Sequence, residues 1–232
     1  MNLLSTKKLN EAQKAHFGET NISLTDYDAI SIAFLNVILP SEVENAIFTS
    51  QNAVRSIDFT QITIKNCFCV GEKTRQLLEE KGQKVIKSCN YGHELADFIV
   101  ENHKNDAFYF FCGNLRRDII PEKLKKSKIT LFEVKTYETQ LNLVEFDKKW
   151  DGILFFSPSG VESFSKSNLN DKAIAQQVHN GSTSAICIGN TTASEAKKYF
   201  KNVVVAENPS VESVIERAIN YNYKKQLMAK GQ

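Results

Sequence analysis

The stretch "LFFSPSGVESF", Leu154 to Phe164, decides the fold, because the chain carries a second version of it. The earlier copy is "IFTSQNAVRSI", Ile47 to Ile57, and the two align without a gap. The matched pairs are Ser50 with Ser157, Val54 with Val161 and Ser56 with Ser163. Each copy runs from a short apolar segment through a polar turn into a helical pattern. A strand leading into a helix, found twice, indicates two related α/β halves.

The segments that follow the two copies also correspond. "CVGEKTRQLLEEKGQKVI" and "CIGNTTASEAKKYFKNVVV" both read strand, Gly, Thr, helix and strand, with Gly71 matching Gly189 and Thr74 matching Thr192. Short β-rich runs that alternate with helical patterns are typical of parallel sheets with helices on both faces. The predicted strands are 2–5, 46–49, 67–70, 84–87, 107–111, 152–156, 184–188 and 203–205.

Two extended segments interrupt this alternation. "DAISIAFLNVIL" and "SKITLFEVKTYETQLNL" are rich in Ile, Val, Phe and Thr, and no helix follows them promptly. We interpret them as a two-strand connector between lobes. The sequence therefore predicts an α/β fold of two parallel-sheet, three-layer lobes. The predicted bounds are residues 1–27 with 143–232 for one discontinuous lobe, 37–130 for the other, and 28–36 with 131–142 for the connector.

The composition excludes several classes of protein. The 232 residues are 42% hydrophobic and carry a net charge of +2, with basic and acidic residues interspersed, which argues against nucleic-acid binding. The five cysteines lack CxxC spacing, so we expect reduced thiols in a cytoplasmic protein. No apolar window approaches the length of a membrane span, and the N-terminus lacks the apolar core of a signal peptide.

Small polar residues follow several of the predicted strands. Ligands of parallel α/β sheets bind beyond the carboxyl ends of the strands, where helix starts offer unpaired amides that attract anions. The candidate binding residues are Thr49, Ser50, Asn52, Thr74, Ser157, Ser159, Gly160, Thr191 and Thr192. The same residue types are also the preferred N-caps of ordinary helices. Both interpretations stay open at this point, although four similar tips favour an anion-binding cleft.

A fifth tip, "FFCGNLRRDIIPEKL", places Gly113 and Asn114 at a turn and two arginines, Arg116 and Arg117, just beyond it. Cations near a helix start oppose the helix dipole, so either a ligand or an acidic neighbour such as Asp118 is expected to compensate them. The four histidines lack metal-ligand spacing, and no GxSxG, HExxH, P-loop or GxGxxG motif is present. Any catalysis must therefore require little from side chains.

Tyr137, in "KTYET" of the returning connector, is the candidate catalytic residue. A phenol can donate a hydrogen bond or a proton to a departing oxygen. A tyrosine that only packs the connector is an equally good interpretation of the same pattern.

In this order and spacing, "CGNLRRDIIPEKL", "VKTYET", "LFFSPSGVESF" and "CIGNTTASEAKK" resemble the uroporphyrinogen-III synthase family. "IFTSQNAV" and "CVGEKTRQLLEEKG" match the family's first-lobe pattern, so the resemblance covers nearly the whole chain. It implies a cofactor-independent lyase that cyclises hydroxymethylbilane, a linear tetrapyrrole, to uroporphyrinogen III with loss of water and inversion of ring D. It also implies a monomer, with transient contact with hydroxymethylbilane synthase left open.

The resemblance assigns roles to individual residues. Tyr137 matches the family's cleft tyrosine, which assists loss of the hydroxyl, while Thr191, Thr192 and Thr74 match cleft threonines. The tips at Ser50, Gly113 and Ser157 match main-chain contacts to the substrate's carboxylates. The chain departs from the pattern at Lys7, where the family often has Arg, and at Asn190, where it often has Pro. The alternative function is a two-lobed, non-catalytic binder of small organic anions.

Overall fold

The computed structural model describes residues 1–18 and 20–230, and the side chains of residues 1–18 and 20–221. The chain divides into two compact units, which we call lobe 1 (Met1–Ser31 and Gln140–Gln232) and lobe 2 (Ile32–Thr139). Within the described ranges, no helix is both long and apolar enough to cross a membrane.

The strands form one sheet in each lobe. In chain order they are β1 (Asn2–Ser5), β2 (Ser23–Asp26), β3 (Ile30–Phe34), β4 (Glu42–Phe48), β5 (Thr63–Val70), β6 (Val85–Cys89), β7 (Ala107–Gly113), β8 (Thr130–Leu141), β9 (Gly152–Phe155), β10 (Ser184–Cys187) and β11 (Asn202–Val205). The sheet of lobe 1 has the order β2-β1-β9-β10-β11, and all of its pairs are parallel. The sheet of lobe 2 has the order β6-β5-β4-β7-β8-β3, with parallel pairing from β6 to β8.

The helices connect these strands. They are α1 (Glu11–Ala15), α2 (Gln51–Arg55), α3 (Glu72–Glu80), α4 (Gly92–Asn102), α5 (Ile119–Lys126), α6 (Pro158–Asn168), α7 (Lys172–Asn180), α8 (Asn190–Ala196) and α9 (Val211–Lys230). In lobe 2, one core packs α2 and α3 on one sheet face, and a second core packs α4 and α5 on the other. In lobe 1, α6, α7 and α8 cover one face, and α9 covers the other. Each lobe therefore has the predicted three layers.

The strands β3 and β8 carry the chain between the lobes. Leu35 N donates to the Thr136 carbonyl over 2.9 Å, and Asn142 N donates to the Ala29 carbonyl over 2.9 Å. The residue numbers of the hydrogen-bonded partners increase on one side and decrease on the other, so the two segments run antiparallel. The structure confirms a fold of two α/β lobes joined by two strands.

Most predicted strand bounds differ from the observed ones by no more than two residues, and two differences are larger. The strand β2 was not predicted, because "SLTD" is short and polar and lies at a sheet edge where one side is exposed. The strands β4 and β5 begin four residues earlier than predicted, at Glu42 and Thr63. Their first residues alternate between exposed and buried and carry charged or polar side chains, which an apolar-run criterion excludes.

Candidate functional site

Strand order locates the ligand-binding edge of each sheet. In an open parallel sheet, the crevice lies at the carboxyl ends of two neighbouring strands whose following connections leave in opposite directions. In lobe 2 these strands are β4 and β7, and in lobe 1 they are β1 and β9. The residues just beyond these four strands are therefore the best placed to contact a ligand.

The Ser50 tip follows β4. Ser50 is the N-cap of α2, and its hydroxyl accepts a 3.1 Å hydrogen bond from Asn52 N. Because the hydroxyl is used in this cap, main-chain amides are what the tip can offer to an anion. The helix has only five residues, so its dipole adds little. Thr49 and Asn52 are half-buried beside it.

The Gly113 tip follows β7 and is covered by the ring of Tyr137. A Cβ atom on Gly113 would lie 2.5 Å from both Cε2 and Cζ of Tyr137 and 2.9 Å from its hydroxyl. These distances are far below van der Waals contact, so only glycine lets the ring lie where it does. Tyr137 is half-buried and packs against the core under α2, which places its phenol at the switch point of lobe 2.

A β-bulge in β8 directs this tyrosine. Cys112 pairs with Lys135, whereas Gly113 pairs with Tyr137, so Thr136 is an extra residue on β8. Side chains normally alternate across a strand, but Val134 and Tyr137 both pack against the same core. A bulge is a common way of redirecting a side chain next to a functional site.

The backbone hydrogen bonds between β3 and β8 set a register that pairs Tyr137 with an aromatic residue missed by the sequence analysis. The antiparallel register of β3 and β8 places Phe34 directly opposite Tyr137, and directly opposed side chains lie on the same sheet face. The Phe34 side chain is 54% exposed although it is large and apolar. Its position could have been found only from strand pairing, since nothing in the local sequence distinguishes it.

Asn114 and Arg116 have protein partners. The Asn114 carboxamide accepts from Thr139 N over 2.8 Å and donates to the Thr139 carbonyl over 3.1 Å, which extends the pairing of β7 and β8. Arg116 forms ion pairs with Asp118 and Glu133. Acidic neighbours therefore compensate Arg116, and an adjacent depression of about 520 Å³ has mixed charge.

The lobe 1 switch point consists of hydroxyl groups and main-chain amides. Ser157, the N-cap of α6, accepts a 3.0 Å hydrogen bond from Gly160 N. Thr6, just beyond β1, donates its hydroxyl to the Leu154 carbonyl over 2.8 Å. A Cβ atom on Gly160 would lie 3.3 Å from Thr6 Oγ1 and 3.4 Å from Ser157 Oγ. The sequence analysis identified Ser157 and Gly160 but missed Thr6, because the strand order was not available to it.

Of the remaining candidates, Ser159 follows β9 at the lobe 1 switch point, whereas Thr74, Thr191 and Thr192 follow β5 and β10, away from the switch points. Thr74 is 5% exposed on α3, and Thr192 is 3% exposed on α8, whereas Thr191 is exposed and Ser159 is half-buried. The two buried threonines reach a ligand only if the surrounding helix moves. Of this group, Thr191 and Ser159 are better placed for contact with a solute.

Burial raises the pKa of all five cysteine thiols and so disfavours their thiolate forms. Burial raises the pKa of the Cys67 and Cys187 thiols to about 12 and that of Cys112 to about 11, so all three are protonated at neutral pH. Among the side chains that the structure describes, no group of three or more His, Cys, Asp or Glu residues is arranged to hold a metal ion. The candidate site therefore offers a phenol, hydroxyls and main-chain amides.

Comparisons with known proteins agree on one family. The family model described as Uroporphyrinogen-III synthase HemD matches residues 21–216. A porphyrin biosynthesis protein HemD from Ruminiclostridium josui is 27% identical over 196 residues, which cover 79% of this chain and 37% of that protein. A uroporphyrinogen-III synthase from Saccharomyces cerevisiae is 27% identical over 155 residues, which cover 52% of this chain and 56% of that one. This chain thus spans about a third to a half of these relatives.

Solved structures show the same fold. A uroporphyrinogen-III synthetase from Helicobacter pylori superimposes with a TM-score of 0.66 at 18% identity, covering 95% of this chain and 99% of that one. A mutant uroporphyrinogen III synthase from Thermus thermophilus gives a TM-score of 0.67 at 13% identity and covers 99% of both chains. At these identities the comparison supports the fold alone.

Proposed function

Because the chain belongs to the uroporphyrinogen-III synthase family, we propose that it is a cyclising lyase that converts hydroxymethylbilane to uroporphyrinogen III. In this reaction the terminal hydroxymethyl group departs as water, and the last pyrrole ring is inverted before the macrocycle closes. The product is a cyclic tetrapyrrole of the porphyrin pathway.

The position of Tyr137 is the observation that carries this proposal. Its phenol lies over Gly113 at the switch point of lobe 2, where a ligand of a parallel sheet is expected. A hydrogen bond from the phenol to the hydroxyl of the substrate favours cleavage of the C–O bond, because the departing oxygen gains negative charge. The phenol proton moves to this oxygen as the C–O bond breaks, so the hydroxyl group leaves as water. The last pyrrole ring then attacks the electron-deficient carbon, and the proton that is lost when the pyrrole regains aromaticity restores the phenol.

Within each lobe, the main-chain amides of the serine tip, at Ser50 or at Ser157, are the donors proposed for substrate carboxylates. Each pyrrole of hydroxymethylbilane carries an acetate and a propionate, so the substrate is a flexible polyanion. Both serine hydroxyls are already used as caps, which leaves main-chain N–H groups as the donors. Such donors do not require a basic protein, in agreement with the net charge of +2. Holding the two reacting ends of the substrate in one geometry lowers the activation barrier by on the order of 7 kcal/mol, the lower bound for well-oriented groups.

The location of the protein is proposed from its thiols. None of the five cysteines, all of which lie in the described part of the chain, forms a disulfide, and four are buried. Free buried thiols are typical of a reducing compartment, so we place the protein in the cytoplasm. We propose that it acts there as a monomer.

An isomer assay tests the proposed function. Hydroxymethylbilane closes without an enzyme to the isomer that lacks the ring inversion, so the fraction of isomer III reports catalysis. The protein is mixed with freshly prepared hydroxymethylbilane, the products are oxidised to porphyrins, and the isomers are separated by chromatography. We expect isomer III to dominate. An isomer composition equal to that of the protein-free control rejects the lyase and, if uroporphyrin III still binds, supports the non-catalytic binder.

A further inference from the structure

The last serine of each repeated stretch, Ser56 or Ser163, forms a hydrogen bond with the returning connector. In lobe 2, the hydroxyls of Ser56 and Thr136 share a hydrogen bond of 2.7 Å. In lobe 1, Ser163 donates its hydroxyl to the Asn142 carbonyl over 2.8 Å. The repeat thus places one serine at the same position after each tip, and each contacts β8 or the residue that follows it. The N-caps at Ser50 and Ser157 do not explain these contacts with the connector.

The lobe 2 contact is made to the residue that directs Tyr137. Thr136 is the bulged residue immediately before Tyr137, and it is fully buried. Ser56 follows α2 directly, and its hydroxyl also lies 2.8 Å from the Ala53 carbonyl. The bulge is therefore connected through two hydroxyl groups to α2, the helix that Ser50 caps. A buried hydroxyl that lost its partner would be costly, so this contact fixes the local conformation.

We propose that Ser56 and Thr136 are positioning residues that hold the Tyr137 phenol over Gly113. The inference rests on the proposed function, since Tyr137 is the group that it positions. Without the contact, β8 can pair with β7 in a regular register, and a one-residue shift moves a side chain to the opposite sheet face. Neither residue touches the substrate, so their effect is exerted through the tyrosine.

Ser163 provides a matched comparison. It is fully buried, as Thr136 is, and its hydroxyl is bonded to the connector. Its partner is the main-chain carbonyl of Asn142. Two further hydrogen bonds fix Asn142 in place, because its main-chain N–H donates to the Ala29 carbonyl and its side-chain amide donates to the Asp28 carbonyl. Asn142 lies just after the end of β8, five residues beyond Tyr137 and away from the bulge at Thr136. Loss of the Ser163 hydroxyl therefore affects stability without moving the phenol.

A double-mutant cycle tests the proposal. Ser56→Ala is expected to lower kcat about tenfold and to leave KM for hydroxymethylbilane within about twofold, because misplacing a reacting group affects the chemical step most. In the Tyr137→Phe background the same substitution should lower kcat by less than about twofold, because the positioned group is already absent. Thr136→Val, which keeps the shape and removes the hydroxyl, should behave as Ser56→Ala does. Thr136→Ser should retain kcat.

Two further measurements decide between positioning and stability. Ser163→Ala should lower the melting temperature as Ser56→Ala does and should leave kcat within about twofold of the wild type. The Tyr137 ring resonances, assigned by their loss in Tyr137→Phe, should shift in Ser56→Ala and remain unchanged in Ser163→Ala. The spectrum does not depend on activity, so it tests the positioning even if the isomer assay rejects the proposed reaction.

Several outcomes overturn the proposal. It is wrong if Ser56→Ala lowers kcat equally with and without the Tyr137 phenol, or if Ser163→Ala lowers kcat as much as Ser56→Ala. The proposal is also wrong if the Tyr137 ring resonances are unchanged in both Ser56→Ala and Thr136→Val. If Ser56→Ala does not fold, Thr136→Val and Thr136→Ser provide the same comparison at the partner residue.

Discussion

The two lobes begin from matching sequences and differ at the glycine of their switch points. In lobe 2 the space above Gly113 is occupied by the ring of Tyr137, which comes from the connector. In lobe 1 the space beside Gly160 is bordered by the hydroxyls of Thr6 and Ser157. The Tyr137 side chain offers both an acidic hydroxyl and a large apolar ring. The hydroxyls of Thr6 and Ser157 are small, and both already take part in hydrogen bonds within lobe 1. The repeat thus supplies two similar serine-capped tips, and the connector makes one of them chemically distinct.

Removal of the phenol is expected to have the largest effect. Tyr137→Phe should lower kcat about a hundredfold, the lower end of what a positioned acid contributes, and change the melting temperature little, because the ring still packs over Gly113. Stopped-flow or quenched assays of isomer III formation measure kcat. Tyr109→Phe, on the neighbouring strand and the same sheet face, is the control and should retain full activity. Wild-type turnover in Tyr137→Phe would make the tyrosine a packing residue.

A methyl group at Gly113 should have the next largest effect. Its Cβ would lie 2.5 Å from the tyrosine ring, so Gly113→Ala must displace the phenol that Tyr137→Phe removes. We expect kcat to fall about thirtyfold, and the effect should not add to that of Tyr137→Phe. The control is Gly92→Ala in the same lobe, where a Cβ meets Ile120 at an ordinary 3.7 Å. Full additivity of the two losses would show that the glycine acts independently of the tyrosine.

The paired glycines Gly71 and Gly189 extend the comparison to stability. Both are N-caps, but Gly71 has φ +89°, whereas Gly189 has φ −174° and no atom within 4 Å of a Cβ position. Gly71→Ala should lower the free energy of unfolding by about 1 to 3 kcal/mol, the usual cost of a conformation reserved for glycine.

Gly189→Ala should change the free energy of unfolding by less than about 1 kcal/mol, because a weaker N-cap is offset by a less flexible unfolded chain. Urea denaturation of the two variants measures the difference. Equal losses would mean that the two glycines are alike in backbone conformation as well as in sequence.

This pair also shows what sequence alone could predict. The alternation of apolar runs and helical patterns was sufficient to predict two three-layer lobes, and the two extended segments were sufficient to predict the connector. The alignment of Gly71 with Gly189 was also readable, but their backbone conformations were not. A glycine is compatible with both, and its dihedral angles depend on how the following helix packs.

The candidate site was predictable where it depends on local sequence. The caps at Ser50 and Ser157 follow from residue type and position, and the structure confirms these caps. Thr6, Phe34 and the bulge at Thr136 depend on which strands are neighbours and on their register. Those properties are set by contacts between residues that are distant in the chain, so no window of sequence contains them.

The smallest expected effect concerns the lobe 1 tip. In Gly160→Ala, the new Cβ would lie 3.3 Å from Thr6 Oγ1 and 3.4 Å from Ser157 Oγ, so both hydroxyls must move by a few tenths of an ångström. We expect KM for hydroxymethylbilane to rise about threefold with kcat unchanged, because this tip binds the substrate equally in the ground state and the transition state. Steady-state assays over a range of substrate concentrations separate the two constants. A fall in kcat comparable to that of Gly113→Ala would contradict the division of roles, because it would place chemistry in both lobes.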